Sequence, residues 1–168
     1  RDCRSLAELT IPDSVTSIGS YAFGGCRSLA EVTIPDSVIS IGERAFSSCR
    51  SITSVTISDG VTSIGVGAFS SCDRLTAITV DENNPYYSSA DGVVFNKSKT
   101  VIMTYPAGRD SSTYVIPDSV KIIDDSAFSA CSITSVIIPD TVISIGDSAF
   151  SACSITSVII PDSVTSIG

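Results

Sequence analysis

The sequence predicts an α/β repeat solenoid, mainly β with short helical turns, in which about seven coils stack on one another. Two observations carry this. Landmark residues recur at a fixed step: proline at 12, 35, 117, 139 and 161, phenylalanine at 23, 46, 69, 128 and 150, and cysteine at 3, 26, 49, 72, 131 and 153. The step is 23 residues in the first half and 22 in the last two copies. Self-similarity at this period marks supersecondary units that each contact only their neighbours. Within each copy, β-branched apolar residues alternate with polar ones, as in a strand with one buried face.

Each copy has three parts, seen most clearly in Thr33–Cys49, TIPDSVISIGERAFSSC. The first is a strand whose inward residues are Leu29, Val32 and Ile34, repeated as Leu6/Leu9/Ile11, Ile52/Val55/Ile57, Leu75/Ile78/Val80, Ile133/Val136/Ile138 and Ile155/Val158/Ile160. Proline ends it, because it cannot donate to a ladder, and Pro-Asp-Ser makes a turn. Val38 and Ile41 open the return leg, which glycine breaks at 19, 42, 65 and 146. A single helical turn is then expected, with Ala45, Phe46 and Cys49 facing inward. A short polar loop, Arg50-Ser51 here, leads to the next strand, and it is one residue shorter after Cys131 and Cys153.

One copy breaks the rule. From Asp81 to Pro117 the step is 36 residues, and no Ala-Phe-x-x-Cys turn occurs. Gly92–Phe95 and Val101–Tyr105 instead read as two strands around the turn 96–100, a β-hairpin. The irregular repeat is placed at 81–116, with Tyr114 and Ile116 rejoining the strand register as the fifth of seven rungs. At about 4.8 Å per rung the stack is roughly 30 Å long. Arg1 aligns with Gly24, and Gly168 with Gly19 and Gly42. Both ends therefore fall inside a copy. Solenoid ends need polar caps, so residues 1–168 are expected to be a single array cut from a longer one.

The pattern L-x-x-V-x-I-P-x-S-V-x-x-I-G-x-x-A-F-x-x-C resembles the BspA-like class of leucine-rich repeats over essentially the whole chain. The odd copy resembles a variant of that class through N-P-x-Y, D-G-V-V-F-N-K and Y-P-A-G. The resemblance implies a curved right-handed superhelix with a parallel sheet on its concave side. It also implies membership of large, often secreted or cell-surface proteins of bacteria and some parasitic protists, associated with adhesion and protein–protein contact. A fold of this kind names no ligand, which must be argued from the site.

Composition excludes several functions. Hydrophobic residues make up 43% and mean hydropathy is +0.37, so the chain is not of the disordered type. A net charge of -8, with acid spread along the length, opposes nucleic acid and anionic membrane surfaces. No apolar run approaches the roughly 20 residues that span a bilayer, and no signal peptide opens the sequence. Histidine is absent, which removes the usual Ser-His and Cys-His nucleophile pairs. Asp124-Asp125 and Asp81-Glu82 lie in loops, and no phosphate- or dinucleotide-binding glycine motif occurs. The chain is therefore expected to be no enzyme and to need no cofactor.

Three polar features invite a site. The six cysteines share one slot and so form a column with parallel Cβ vectors. They lack C-x-x-C spacing, which favours buried free thiols over disulfides or zinc. The aspartates at 13, 36, 59, 118, 140 and 162 form another column, continued by Glu82. A stack of like charges could attract calcium, but the expectation is that each caps its own turn through backbone N–H groups. Asn96-Lys97-Ser98 is a glycosylation sequon at the hairpin tip, equally read as a plain turn.

The concave sheet is the first candidate surface. Its outward columns are Glu8, Glu31, Ser54, Ala77, Thr113, Ser135 and Ser157, and beside them Thr10, Thr33, Thr56, Thr79, Val115, Ile137 and Ile159. The second column turns from threonine to aliphatic, which marks either contact or mere β-propensity. The hairpin is the second candidate, with Tyr86, Tyr87, Phe95 and Tyr105 beside Lys97, Lys99 and Arg109. This is an interface-like mixture, unless the tyrosines only fill space left by the missing Phe and Cys. The leading expectation is a surface-protein module that binds a protein or other macromolecule, such as a host-cell or matrix component. A passive spacer and an intracellular interaction scaffold are the alternatives.

Overall fold

The computed structural model describes residues 1–168 as a β-solenoid of about seven turns with parallel sheets. Its strands are short. In chain order they are β1 (Ser17–Ile18), β2 (Ser40–Ile41), β3 (Ser54–Ile57), β4 (Ser63–Ile64), β5 (Ala77–Val80), β6 (Tyr87–Ala90) and β7 (Val93–Asn96). There follow β8 (Val101–Thr104), β9 (Thr113–Val115), β10 (Ile122–Ile123), β11 (Ser135–Ile137), β12 (Ser144–Ile145), β13 (Ser157–Val158) and β14 (Ser166–Ile167).

The strand leg of the repeat forms one face, in two pieces, β3-β5 and β9-β11-β13, both parallel and in register. The return leg forms a second face, β1-β2-β4 and β8-β10-β12-β14. Periodicity alone makes the first sheet continuous over seven rungs, but the first two rungs, 6–11 and 29–34, form no strand. The sheet is also interrupted: Ile78 donates its N–H to Gly92 O and Val80 its N–H to Ser89 Oγ, so the inserted segment covers the open edge of β5. That arrangement hides an edge that would otherwise template further pairing.

The expected helical turn over 45–49 is a chain of β-turns instead. Ala45, Ser47 and Cys49 donate to Gly42, Arg44 and Phe46, three residues back, while Arg44, Phe46 and Ser48 donate to Val66, Ala68 and Ser70 on the next rung. Alternate amides thus serve the stack, which a helix would not allow. Arg44 (φ 51) and Ser48 (φ 58) sit in the left-handed region at the third position of the first and last of these turns, where type II geometry requires it. The apolar spacing that suggested a helix places Ala45, Phe46 and Cys49 inward in either conformation.

The inward side chains stack as columns. Phe23, Phe46 and Phe69 lie 5.3 and 5.6 Å apart between ring centroids, and Phe128 and Phe150 lie 5.2 Å apart. Tyr105 takes the phenylalanine slot in the irregular copy, 5.2 Å from Phe128. Two cores result, one from Ile18 to Val80 and one from Val93 to Ala149. Strand β7 joins them, since Val94 belongs to the first while Val93 and Phe95 belong to the second. Burial on both faces explains why this strand reads as a continuous apolar run. Strand β6 is not foreseen from the sequence; its polar Tyr-Ser-Ser-Ala stretch pairs antiparallel with β7.

Glycine is required where rungs touch. A Cβ on Gly42 would sit 2.5 Å from Ser20 N, and one on Gly65 would collide with Glu43 N. By contrast Ala130 holds a left-handed φ of 62°, which costs an L-residue about 1–2 kcal/mol. Gly65→Ala should therefore lower the unfolding free energy by about 3 kcal/mol. Ala130→Gly should raise it by about 0.5 kcal/mol, after allowance for the freer unfolded chain. Urea titration of both variants checks the two signs.

Candidate functional site

On the first sheet the pleat sends Val55, Ile57, Ile78 and Val80 inward and leaves Ser54, Thr56 and Thr79 exposed. Thr113 and Ser157 are also exposed there, and Ser135 is half-buried, while Glu8, Thr10, Glu31 and Thr33 are exposed on the first two rungs outside any strand. Val115, Ile137 and Ile159 form the aliphatic end of the column, and Ile137 pairs directly with Val115. They are 60%, 52% and 82% exposed. Three adjacent rungs thus hold large β-branched side chains in solvent. Thr79 and Val115 do not neighbour each other as strand partners, because the inserted segment lies between β5 and β9. The column is two zones, one hydroxylated and one aliphatic.

The hairpin candidates divide sharply. Phe95 and Tyr105 are 1% and 2% exposed and belong to the core, so neither can meet a partner. Arg109 is half-buried with its guanidinium 5.4 Å from the Tyr105 ring centroid. Tyr87 is held in place by the stack, because its hydroxyl receives the Ile64 N–H at 3.2 Å and donates to Thr62 O at 3.3 Å, closing the edge of β4. Burial raises its pKa above the ordinary phenol value. Tyr86, Lys97 and Lys99 remain exposed, with Lys97 Nζ donating to Glu82 O.

Two asparagines hold this region. Asn84 is fully buried; its amide donates to Ser58 O and Val61 O, and its oxygen accepts from Tyr86 N and Tyr87 N. All four of its hydrogen-bonding positions are filled. The Asn96 oxygen accepts from Thr100 N and Val101 N, and its amide donates to Ser98 Oγ and Thr100 Oγ1. The sequon nitrogen is therefore committed to the turn itself. Neither role follows from spacing alone.

The polar columns differ from expectation in one respect. No backbone N–H bonds the aspartates at 13, 36, 59, 118, 140 or 162; only Asp81 caps, accepting from Asn83 N. The turn is already closed by valine, as in Val38 N to Pro35 O. The following hydroxyl then ties the rungs, Ser37 to Val15 O and Thr141 to Val120 O. The cysteines are free, four of them buried, and Cys49 and Cys72 donate S–H to Phe23 O and Phe46 O on the preceding rung. Burial, with the Cys26 thiol beside it, pushes Cys49 up to about 12, and burial likewise raises Cys72.

The chain matches the model of the BspA-type leucine-rich repeat region in six copies, over residues 1–111 and 104–168. It belongs to that family. No curated protein matches it significantly. A leucine-rich repeat protein from Eubacterium ventriosum is similar in structure, with TM-score 0.88 and 28% identity over 100% of this chain and 51% of that one. A leucine-rich cell-surface protein from Faecalibacterium prausnitzii gives TM-score 0.72 and 33% identity over 97% and 50%. The pneumococcal vaccine antigen PcpA shares the fold, with TM-score 0.74 and 24% identity over 90% and 44%. The chain spans about half the length of these proteins.

The buried thiols Cys26, Cys49 and Cys72, all raised by burial, set the sign of an alkaline effect, against which Cys153, lowered to about 7 by its hydrogen bond with the Cys131 thiol, acts the other way. Folded-state pKa values above the ordinary 9.0 mean that the folded chain keeps protons the unfolded chain releases. The stabilisation is complete below pH 9 and is lost as pH rises toward about 12. The buried tyrosines act in the same direction. The urea midpoint should hold up to about pH 9 and fall above it, less steeply in Cys49→Ala than in the parent.

Proposed function

We propose that the chain is a non-enzymatic protein-binding module of a bacterial cell-surface or secreted protein, acting in adhesion through the exposed face of its first sheet. The observation that carries this reading is the run Val115, Ile137 and Ile159, at least half exposed on three successive rungs. Apolar side chains aligned in this way make a contact surface for a partner. Tyr86, Lys97 and Lys99 at the hairpin add an aromatic and basic rim. The family supports protein contact, and the Faecalibacterium prausnitzii relative, a cell-surface protein by description, supports the location. The absence of histidine supports the non-enzymatic part.

Labelled chain is expected to bind host epithelial cells or immobilised matrix proteins. Ile137→Glu with Ile159→Glu should weaken that binding at least tenfold, the effect of losing an apolar anchor, while the unfolding midpoint stays put. Equal binding by the variant would remove the sheet from the account. Protease shaving of intact source cells should release peptides of this array without cytosolic markers. Their retention in an abundant intracellular pool would contradict the surface location.

A further inference from the structure

We propose that copies of this chain dock side by side, the arginine edge of one against the aspartate edge of the next. Although acid is spread along the sequence, charge is sorted across the fold. Arg4, Arg27 and Arg50 occupy the loop before each strand leg, and Asp13, Asp36 and Asp59 the turn after it. All six are exposed. The chain contains three ion pairs, and only one, Arg50 with Asp73 at 3.3 Å, involves any of the six. Their other charged heads make no side-chain hydrogen bond. Two columns of opposite sign therefore flank the outer face of the first three rungs, and the return-leg ladder β1-β2-β4 spaces the like charges in each about one strand spacing, ~4.8 Å, apart.

Like charges held at that spacing repel, and a single partner relieves both columns only if it carries both signs at the same pitch. A second copy does so by construction, because the same backbone ladder sets the pitch of each column. Displaced sideways, it sets arginine against aspartate rung for rung. Other charges bound the contact. Glu8 and Glu31 are exposed between the two edges, outside any strand. The acidic run is interrupted at the hairpin tip, where Lys97 reaches Glu82 O and Ser119 reaches Lys99 O, and resumes beyond it at Asp118, Asp140 and Asp162. The last two copies lack the arginine altogether, since Ser132 and Ser154 follow cysteine directly. The first three rungs thus form the contact.

Such a contact is head-to-tail and does not close, so it extends into rows with every first-sheet face on the same side. Exposed ion pairs are individually weak; rows form at high local concentration, as when chains are held together on one surface. Sedimentation equilibrium at about 1 mM chain tests this, comparing salt at about 0.05 M, where the net charge is partly screened, with about 0.5 M. The weight-average mass should at least double from 17.4 kDa in low salt and return to it in high salt. Arg27→Glu with Arg50→Glu should stay monomeric, as should Asp36→Arg with Asp59→Arg. All four substitutions together restore the net charge and both edges, reversed, and should restore association. A monomeric parent at low salt overturns the proposal, as does salt-independent association, an associating single-edge pair, or a folded but monomeric fourfold variant.

Discussion

The structure depends on how closely one rung approaches the next. Alternate turn amides and the strand amides reach across to the neighbouring coil, so backbone meets backbone without room for side chains at the glycine positions. Gly42 and Gly65 mark this contact, since an added Cβ would fall on Ser20 N or Glu43 N. Everything else inherits the spacing. Phenylalanine rings stack because their Cα atoms are stacked, thiols reach the carbonyl of the phenylalanine one rung back, and surface residues repeat as columns. A repeated sequence on such a ladder makes any property of one residue a property of an edge.

The irregular copy strains that logic, because it abandons the turn chain yet keeps the register. Tyr105 carries the aromatic column, Tyr87 offers its hydroxyl where a strand neighbour is missing, and Asn84 fills four hydrogen-bonding positions inside the stack. Strand β7, apolar on both faces, closes one core with Val94 and the other with Val93 and Phe95. The insertion is therefore a splice between two half-arrays. It also divides the exposed face into a hydroxylated zone and an aliphatic one.

Much of this is legible in the sequence and some is not, for identifiable reasons. The 23-residue step yields the solenoid, the inward columns and the exposed columns, because columns follow from periodicity. Turn chemistry is less readable: Ala45, Phe46 and Cys49 have the spacing of a helical face, and only the rung-to-rung amide bonds distinguish a chain of β-turns. The aspartates resemble caps, but proline and valine already close the turn. Tyr105 and Phe95 look like surface aromatics because they fall where the pattern breaks. Tyr105 nonetheless lies one 23-residue step before Phe128, a signal that places it in the core.

A splice at β7 requires the two half-arrays to unfold as one body. Native-state hydrogen exchange in rising urea tests this directly, following the Phe46 amide, bonded to Ala68 O, and the Phe128 amide, bonded to Ala149 O. If β7 splices the two cores, both amides exchange through the same opening, with equal free energies and equal denaturant dependence. If one exchanges through an opening of distinctly lower free energy, the halves unfold separately and the splice does not couple them.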